Sequence, residues 1–163
     1  MLKSINPYSQ ETVARFEPEK DIAAKVKTAH HAFREWESTS ADERKKHLLA
    51  FAATLEKRKE EYARMITLEM GKLLHEAVAE VEKCILTTRF YAEESESYLR
   101  PVTVGSSYFR SYYTFEPLGV ILAIMPWNFP FWQVLRFVVP NLLLGNTVIL
   151  KHASNVLGSA ANI

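Results

Sequence analysis

Among the 163 residues there is only one cysteine, Cys84. That excludes an intramolecular disulfide framework and any multi-cysteine zinc site. Glycine is scarce, at five residues, and no Gly-x-Gly-x-x-Gly occurs, so the commonest dinucleotide fingerprint is missing. Neither sign of charge dominates. A formal net charge of +1 supplies no electrostatic reason to expect a nucleic acid or an acidic lipid surface as partner. The chain start lacks a charged segment followed by an apolar one, so no secretory signal is visible and a cytoplasmic location is expected. His30, His31, His47 and His75 lie on helical stretches without ligand spacing, and no metal site is expected.

The most informative absence is local. No Asp or Glu follows Glu116, and only Arg136 and Lys151 carry formal charge beyond it. From Pro117 to Leu135 there is no formal charge at all, a run long enough to raise a membrane span. Pro126, Pro130 and Pro140 interrupt the apolar tail, Asn128 and Gln133 sit inside it, and Gly119 and Gly145 punctuate it. A buried core of short strands around a helix fits better, and no membrane partner is expected. Hydrophobic residues make up 48% of the whole and charged residues 24%, an ordinary globular balance.

Leu2 to Ile5 and Thr12 to Phe16 flank Asn6-Pro7-Tyr8-Ser9, which predicts a small hairpin. From Asp21 the period changes: Ile22, Val26, Ala29, Phe33 and Trp36 recur at helical spacing and predict one apolar face. Ser40-Ala41-Asp42-Glu43 reads as a capping box that opens a second helix. That helix carries Leu48, Phe51, Ala52 and Leu55 inward and continues, with room for a kink, to Met70. Gly71 ends it, because glycine tolerates a positive φ. A third, long helix from Lys72 to Leu99 holds Leu74, Val78, Val81, Ile85, Thr88, Ala92, Ser95 and Leu99 on one seam. Cys84 lies beside that seam and reads as a packing residue, not a nucleophile. Ser107 to Glu116 predicts an exposed aromatic strand.

Val120 to Met125 is a short continuous apolar run, the pattern of a strand buried on both faces. Pro130 to Leu144 predicts a helix, Thr147 to Leu150 a second buried strand, and Ser154 to Ile163 the start of another helix. Strand, helix, strand, helix is the beginning of a doubly wound, Rossmann-like α/β domain with a parallel sheet. Parallel strands need neighbours and cover on both faces, so the expectation is a truncated domain.

Met125-Pro126-Trp127-Asn128-Phe129-Pro130 follows the first buried strand at its carboxyl end, where open α/β sheets bind ligands. An asparagine amide there can donate to an anionic oxygen. On spacing alone, Asn128 reads first as a turn residue that caps backbone groups. Arg136 lies eight residues further on. Its guanidinium must reach solvent, a partner or an anionic ligand, and reaching solvent is the plainer reading. Lys151 ends the second strand, either as a contact for ribose or phosphate or as a surface lysine. His152 reads as a surface or loop residue.

Taken together, Pro117-Leu118-Gly119-Val120, Met125-Pro126-Trp127-Asn128-Phe129-Pro130 and Gly145-Asn146-Thr147-Val148-Ile149-Leu150-Lys151 resemble the NAD(P)-dependent aldehyde dehydrogenase superfamily. Phe129-Pro130-Phe131-Trp132-Gln133-Val134-Leu135-Arg136 is most similar to its bacterial succinate-semialdehyde dehydrogenases. The resemblance covers essentially the whole chain, but only about the first third of a family member. It implies an aldehyde dehydrogenase fold in three parts. Residues 1–100 would form the hairpin and helices of the cofactor-binding domain, 101–117 bridging strands for oligomerisation, and 118–163 the first β-α-β-α of the nucleotide domain.

In that family a cysteine thiolate attacks the aldehyde, hydride passes to the nicotinamide, and a glutamate-activated water releases the acid. The resemblance implies oxyanion stabilisation for Asn128 and a substrate site at Arg136, Phe129 and Trp132, with Arg136 on the distal carboxylate. It places the cofactor, NADP or NAD, against Met125, Pro126, Trp127, Lys151 and Ser154. Ser154 stands where many NAD-preferring relatives have a glutamate, and losing that carboxylate removes repulsion against a 2′-phosphate. His152 stands where proline is frequent.

The family's catalytic cysteine and glutamate have no counterpart in this chain, so inactivity of the chain alone is expected. The expected partners are a small-molecule aldehyde and further copies of the chain, as a homo-oligomeric dimer or tetramer. A non-catalytic fragment that pairs with a full-length subunit is the alternative.

Overall fold

A computed structural model describes residues Met1–Ile163. The chain opens with an antiparallel hairpin, β1 (Leu2–Ile5) and β2 (Thr12–Phe16), irregular between Ser4 and Ile5. The Asn6 side chain accepts from the Tyr8 and Ser9 amides and closes the turn. Four helices follow: α1 (Ile22–Glu37), α2 (Ala41–Lys57), α3 (Lys59–Met70) and α4 (Leu74–Leu99). Asp21 caps α1 by accepting from Ala24 N. Both halves of the capping box on α2 are formed, Ser40 to Glu43 N and Glu43 back to Ser40 N. Gly71 ends α3 at φ 73°.

The second predicted helix divides at Arg58, whose φ of −107° and ψ of 13° leave the helical region. On α1, only Phe33 of the predicted face is buried, and Ile22 and Val26 stay exposed.

The core lies where α2 and α3 meet α4. Leu48, Leu55, Tyr62 and Ile66 interdigitate with Ala77, Val81, Cys84, Ile85 and Ala92. Burying a side chain the size of Leu55 or Ile66 contributes about 1.5–3 kcal/mol. Cys84 is fully buried. Burial pushes its thiol up, and the nearby Glu80 carboxylate adds to the shift, so the sulfur stays protonated and unreactive.

After α4 come two short strands that pair with each other, β3 (Val102–Thr103) and β4 (Tyr112–Tyr113). The predicted strand Ser107–Glu116 is therefore not formed at that length. Its aromatic residues, Tyr108 and Phe109 foremost, point into solvent with no apolar layer to hold the pleat.

The tail is β5 (Val120–Met125), α5 (Trp132–Leu144), β6 (Thr147–His152) and α6 (Leu157–Asn162). β5 and β6 pair in parallel, Val120 with Thr147 through to Met125 with His152. This is the βαβα opening of a doubly wound sheet. Asn146 is buried, and its Oδ1 accepts from the Leu118 and Gly119 amides at 2.6 and 3.0 Å, fixing the two strand starts side by side. Burial on both faces does not hold for β5. Ala123 is sealed against α5, but Leu122 is 59% and Ile124 67% exposed.

α5 drops its apolar face, Val134, Leu135, Val139 and Leu143, onto α4 and so joins the sheet to the helical layer. Its carboxyl end is tied by Trp36 Nε1 to Leu142 O at 2.8 Å and Arg44 Nε to Leu143 O at 2.8 Å. No helix is long and apolar enough to cross a membrane.

Candidate functional site

The segment from Pro126 to Phe131 leaves the carboxyl end of β5 and turns into α5. Three residues hold it in place: Glu80 and Lys72, to which the sequence reading gave no such role, and His152, which it read as a surface or loop residue. Glu80, on the inner side of α4, is 4% exposed. Its Oε1 accepts from the Phe131 and Trp132 amides at 2.9 and 3.0 Å. A carboxylate there satisfies two of the amides that a helix start leaves open and lies at the positive end of the helix dipole. Lys72 Nζ pairs with the other Glu80 oxygen, donates to the Asn128 carbonyl at 3.3 Å, and sits 3.9 Å from the centre of the Phe129 ring. His152, on β6, is buried, and its Nε2 lies 2.9 Å from the Pro130 carbonyl. Nδ1 accepts from Ala153 N, so Nε2 is the nitrogen that donates to Pro130. The expectation of a surface or loop histidine fails, because strand alternation turns His152 under the segment while Lys151 faces out.

A cleft of about 550 Å³ opens between α4 and α5. Asn128, Phe129, Trp132 and Gln133 line one wall, and Lys72, Glu76, Ala79, Glu80 and Lys83 the other. Asn128 is exposed there, and its side-chain amide has no protein partner among the hydrogen bonds of the structure. The turn-capping role that spacing favours is therefore not the one it plays. Trp132 forms part of the floor, with Lys83 Nζ 4.0 Å above its ring. Phe131 is the anchor: it is fully buried, and its ring stacks on Tyr62 at 5.2 Å.

Arg136 is exposed, forms no ion pair and does not line this cleft. It lies one turn beyond Trp132 and Gln133 on the same side of α5. Met125, Pro126 and Trp127 stand at the end of β5, and Lys151 and Ser154 at and just after the end of β6. Lys151 is the register partner of Ile124. These five residues gather at one edge of the sheet, apart from the α4–α5 cleft but joined to it by the Asn128 segment. A nucleotide suits that edge chemically. Lys151 and Ser154 are exposed donors without protein partners, and the stretch from Pro117 onward contains no carboxylate, although Glu19 and Asp21 share a pocket with Val148, Ile149 and Leu150.

A sequence signal for Glu80 exists: it falls at helical spacing between Ala77 and Cys84, a carboxylate on an apolar seam that must find partners. Glu69 follows the same rule after Tyr62 and Ile66 on α3. It accepts from Ser4 Oγ at 2.5 Å, Gly158 N at 2.6 Å, Ser159 N at 2.7 Å and Ser159 Oγ at 2.8 Å. One buried carboxylate thereby ties the hairpin and α6 to the helical layer.

Known proteins resemble this chain in sequence and in fold. The aldehyde dehydrogenase family profile matches residues 1–163. A protein described as a probable succinate-semialdehyde dehydrogenase, NADP(+), from Synechocystis sp. is 45% identical over 157 residues, 95% of this chain and 35% of the relative. The NADP(+) succinate-semialdehyde dehydrogenase of Mycobacterium avium is 44% identical over 165 residues, with 98% and 35% covered. The crystal structure of succinic semialdehyde dehydrogenase from Streptococcus pyogenes in complex with NADP+ superposes with a TM-score of 0.95 at 34% identity, covering 99% of this chain and 36% of that one. The chain thus spans about 35% of the length of these curated relatives.

Proposed function

The chain belongs to the aldehyde dehydrogenase family, and from that premise we propose that it is the N-terminal part of a cytoplasmic, homo-oligomeric enzyme that oxidises succinate semialdehyde to succinate with NADP or NAD. The observation that carries this reading is the free Asn128 amide, held at the carboxyl end of β5 and facing the α4–α5 cleft. An amide fixed by a rigid backbone donates to the oxygen of an aldehyde as negative charge gathers there, with little reorganisation at the moment of reaction. Arg136, free of any protein carboxylate, presents a fork of donors that matches the far carboxylate of the substrate. Lys151 and Ser154 hold the ribose end of the nucleotide, and Ser154 leaves room for a 2′-phosphate where a glutamate would repel it. When bound, the nicotinamide accepts the hydride. Cys84 is not the nucleophile: it is sealed under α2 and protonated. With Cys84 as its one thiol, the 163-residue chain alone is expected not to turn over substrate.

In the whole enzyme, Asn128→Ala lowers kcat about 10²–10³-fold, the range for removing one oxyanion donor. Arg136→Ala raises KM for succinate semialdehyde at least about tenfold more than for an uncharged aldehyde of equal length. Equal effects on both aldehydes would remove Arg136 from the substrate site. Turnover by the 163-residue chain itself would overturn its proposed inactivity.

A second reading, a non-catalytic fragment that pairs with a full-length subunit, draws on the open face of β5 at Leu122 and Ile124. Co-purification of separately tagged chain and full-length subunit, lost on Leu122→Lys, supports it.

A further inference from the structure

We propose that Lys72 and Glu80 are the positioning residues that aim the Asn128 amide, a role that rests on the oxyanion function proposed above. Nothing in the structure holds the Asn128 side chain itself, so its backbone sets the position from which the amide is presented. One ion pair grips the stretch from Asn128 to Trp132 at both ends. Upstream, Lys72 Nζ donates to the Asn128 carbonyl and lies on the Phe129 ring. Downstream, Glu80 Oε1 receives the amides of Phe131 and Trp132. The two side chains are 8% and 1% exposed, so the pair is shielded from the solvent that would loosen a surface contact. Lys72 is itself fixed, since it sits in the short link between Gly71, which ends α3, and Leu74, which starts α4.

A pair serving stability alone needs neither contact with the Asn128 carbonyl nor both first-turn amides of α5. A buried ion pair replaced by neutral groups of similar size often leaves stability unchanged, because the desolvation penalty goes with it. Aim and stability can therefore be separated. The double variant Lys72→Met with Glu80→Gln removes both charges together. The glutamine oxygen can still accept an amide, but the donor to Asn128 is gone. The fold should persist while the segment loosens.

The test is made in the whole enzyme, with Asn128→Ala alongside. For the double variant we expect kcat to fall about 10–100-fold, the scale of a misplacement on the order of 1 Å. Nucleotide affinity, read by fluorescence titration, should stay within about twofold, since neither residue touches the nucleotide edge. Hydrogen exchange at the Phe131 and Trp132 amides should rise without a general rise in α4. A kcat within about twofold of the parent, while Asn128→Ala lowers it, overturns the inference and leaves the reading of Asn128 standing. A kcat loss matched by lost nucleotide affinity, or occurring without faster exchange at those two amides, also overturns it. An Asn128→Ala enzyme with undiminished kcat overturns the reading of Asn128, and this inference with it. Should the double variant not fold, Lys72→Met alone carries the kcat and nucleotide comparisons, because Glu80 keeps the two α5 amides and the helix start to offset its charge while the donor to Asn128 is gone.

Discussion

Leu55 in α2 and Leu122 in β5 are the same side chain, yet the first is 1% exposed and the second 59%. A helix satisfies its own backbone and asks for cover along one stripe only. The inner stripes of α2, α3 and α4 meet, so this layer closes on itself. A parallel strand takes its hydrogen bonds from a neighbour and needs cover on each face. α5 lies against one face of the β5–β6 pair, and α1 reaches only part of the other, where Thr147 Oγ1 bonds the Ala29 carbonyl at 3.0 Å. The difference teaches that stability concentrates in the helical layer, while the β5–β6 pair keeps part of one face open. The segment that carries Asn128 is held from both: by Glu80 and Lys72 on the helical side, and by His152 on the sheet side.

The comparison breaks most directly at its two leucines. Leu55→Ala should destabilise the chain by about 2–5 kcal/mol in urea melts, the usual penalty for an emptied core site. Leu122→Ala should change it by less than about 0.5 kcal/mol. Equal losses would mean that the open face of β5 is covered in solution.

A smaller effect is expected where the tail joins the helical layer. A Cβ on Gly158 would come within 2.6 Å of Met65 Sδ and 2.9 Å of Glu69 Oε1. Gly158→Ala should therefore cost about 1–3 kcal/mol by overpacking. A neutral result would show that α6 can shift without disturbing the core.

A loss smaller than that of either Leu55→Ala or Gly158→Ala belongs to the exposed cap of α2. Ser40→Ala should cost about 1 kcal/mol. The backbone and hydroxyl of Ser40 hold the Glu43 carboxyl below its ordinary value. Its contribution is then present above the ordinary carboxylate range and lost as pH falls through the lowered value. Thermal melts from neutral to acid pH should accordingly show a shallower acid limb in Ser40→Ala than in the parent.

Much of this was legible in the chain. Leu2–Ile5 and Thr12–Phe16 pair at the bounds that turn chemistry implies, Ser40 and Glu43 form their reciprocal cap, and Gly71 and Gly145 end helices at φ 73° and 105°. The Asn128 segment at the end of β5 was legible as well, from proline spacing and strand order. The predicted aromatic strand at Ser107–Glu116 was not realised, since β-favouring residues need a surface to lie on. Nor was the fate of His152, since no neighbour in the chain announces that the Pro130 carbonyl, 22 positions away, will stand over its ring.

Helix periods, caps and turns were written into the chain because each depends on residues a few positions apart, whose geometry the covalent backbone already constrains. Which buried carboxylate meets which amide was decided only on folding. Glu80 reaches Phe131 across 51 positions and Glu69 reaches Ser159 across 90, distances that no local preference spans. A buried charge accepts any donor that arrives with good geometry, and packing of α4 against α5 and of α3 against α6 determined which donors arrived.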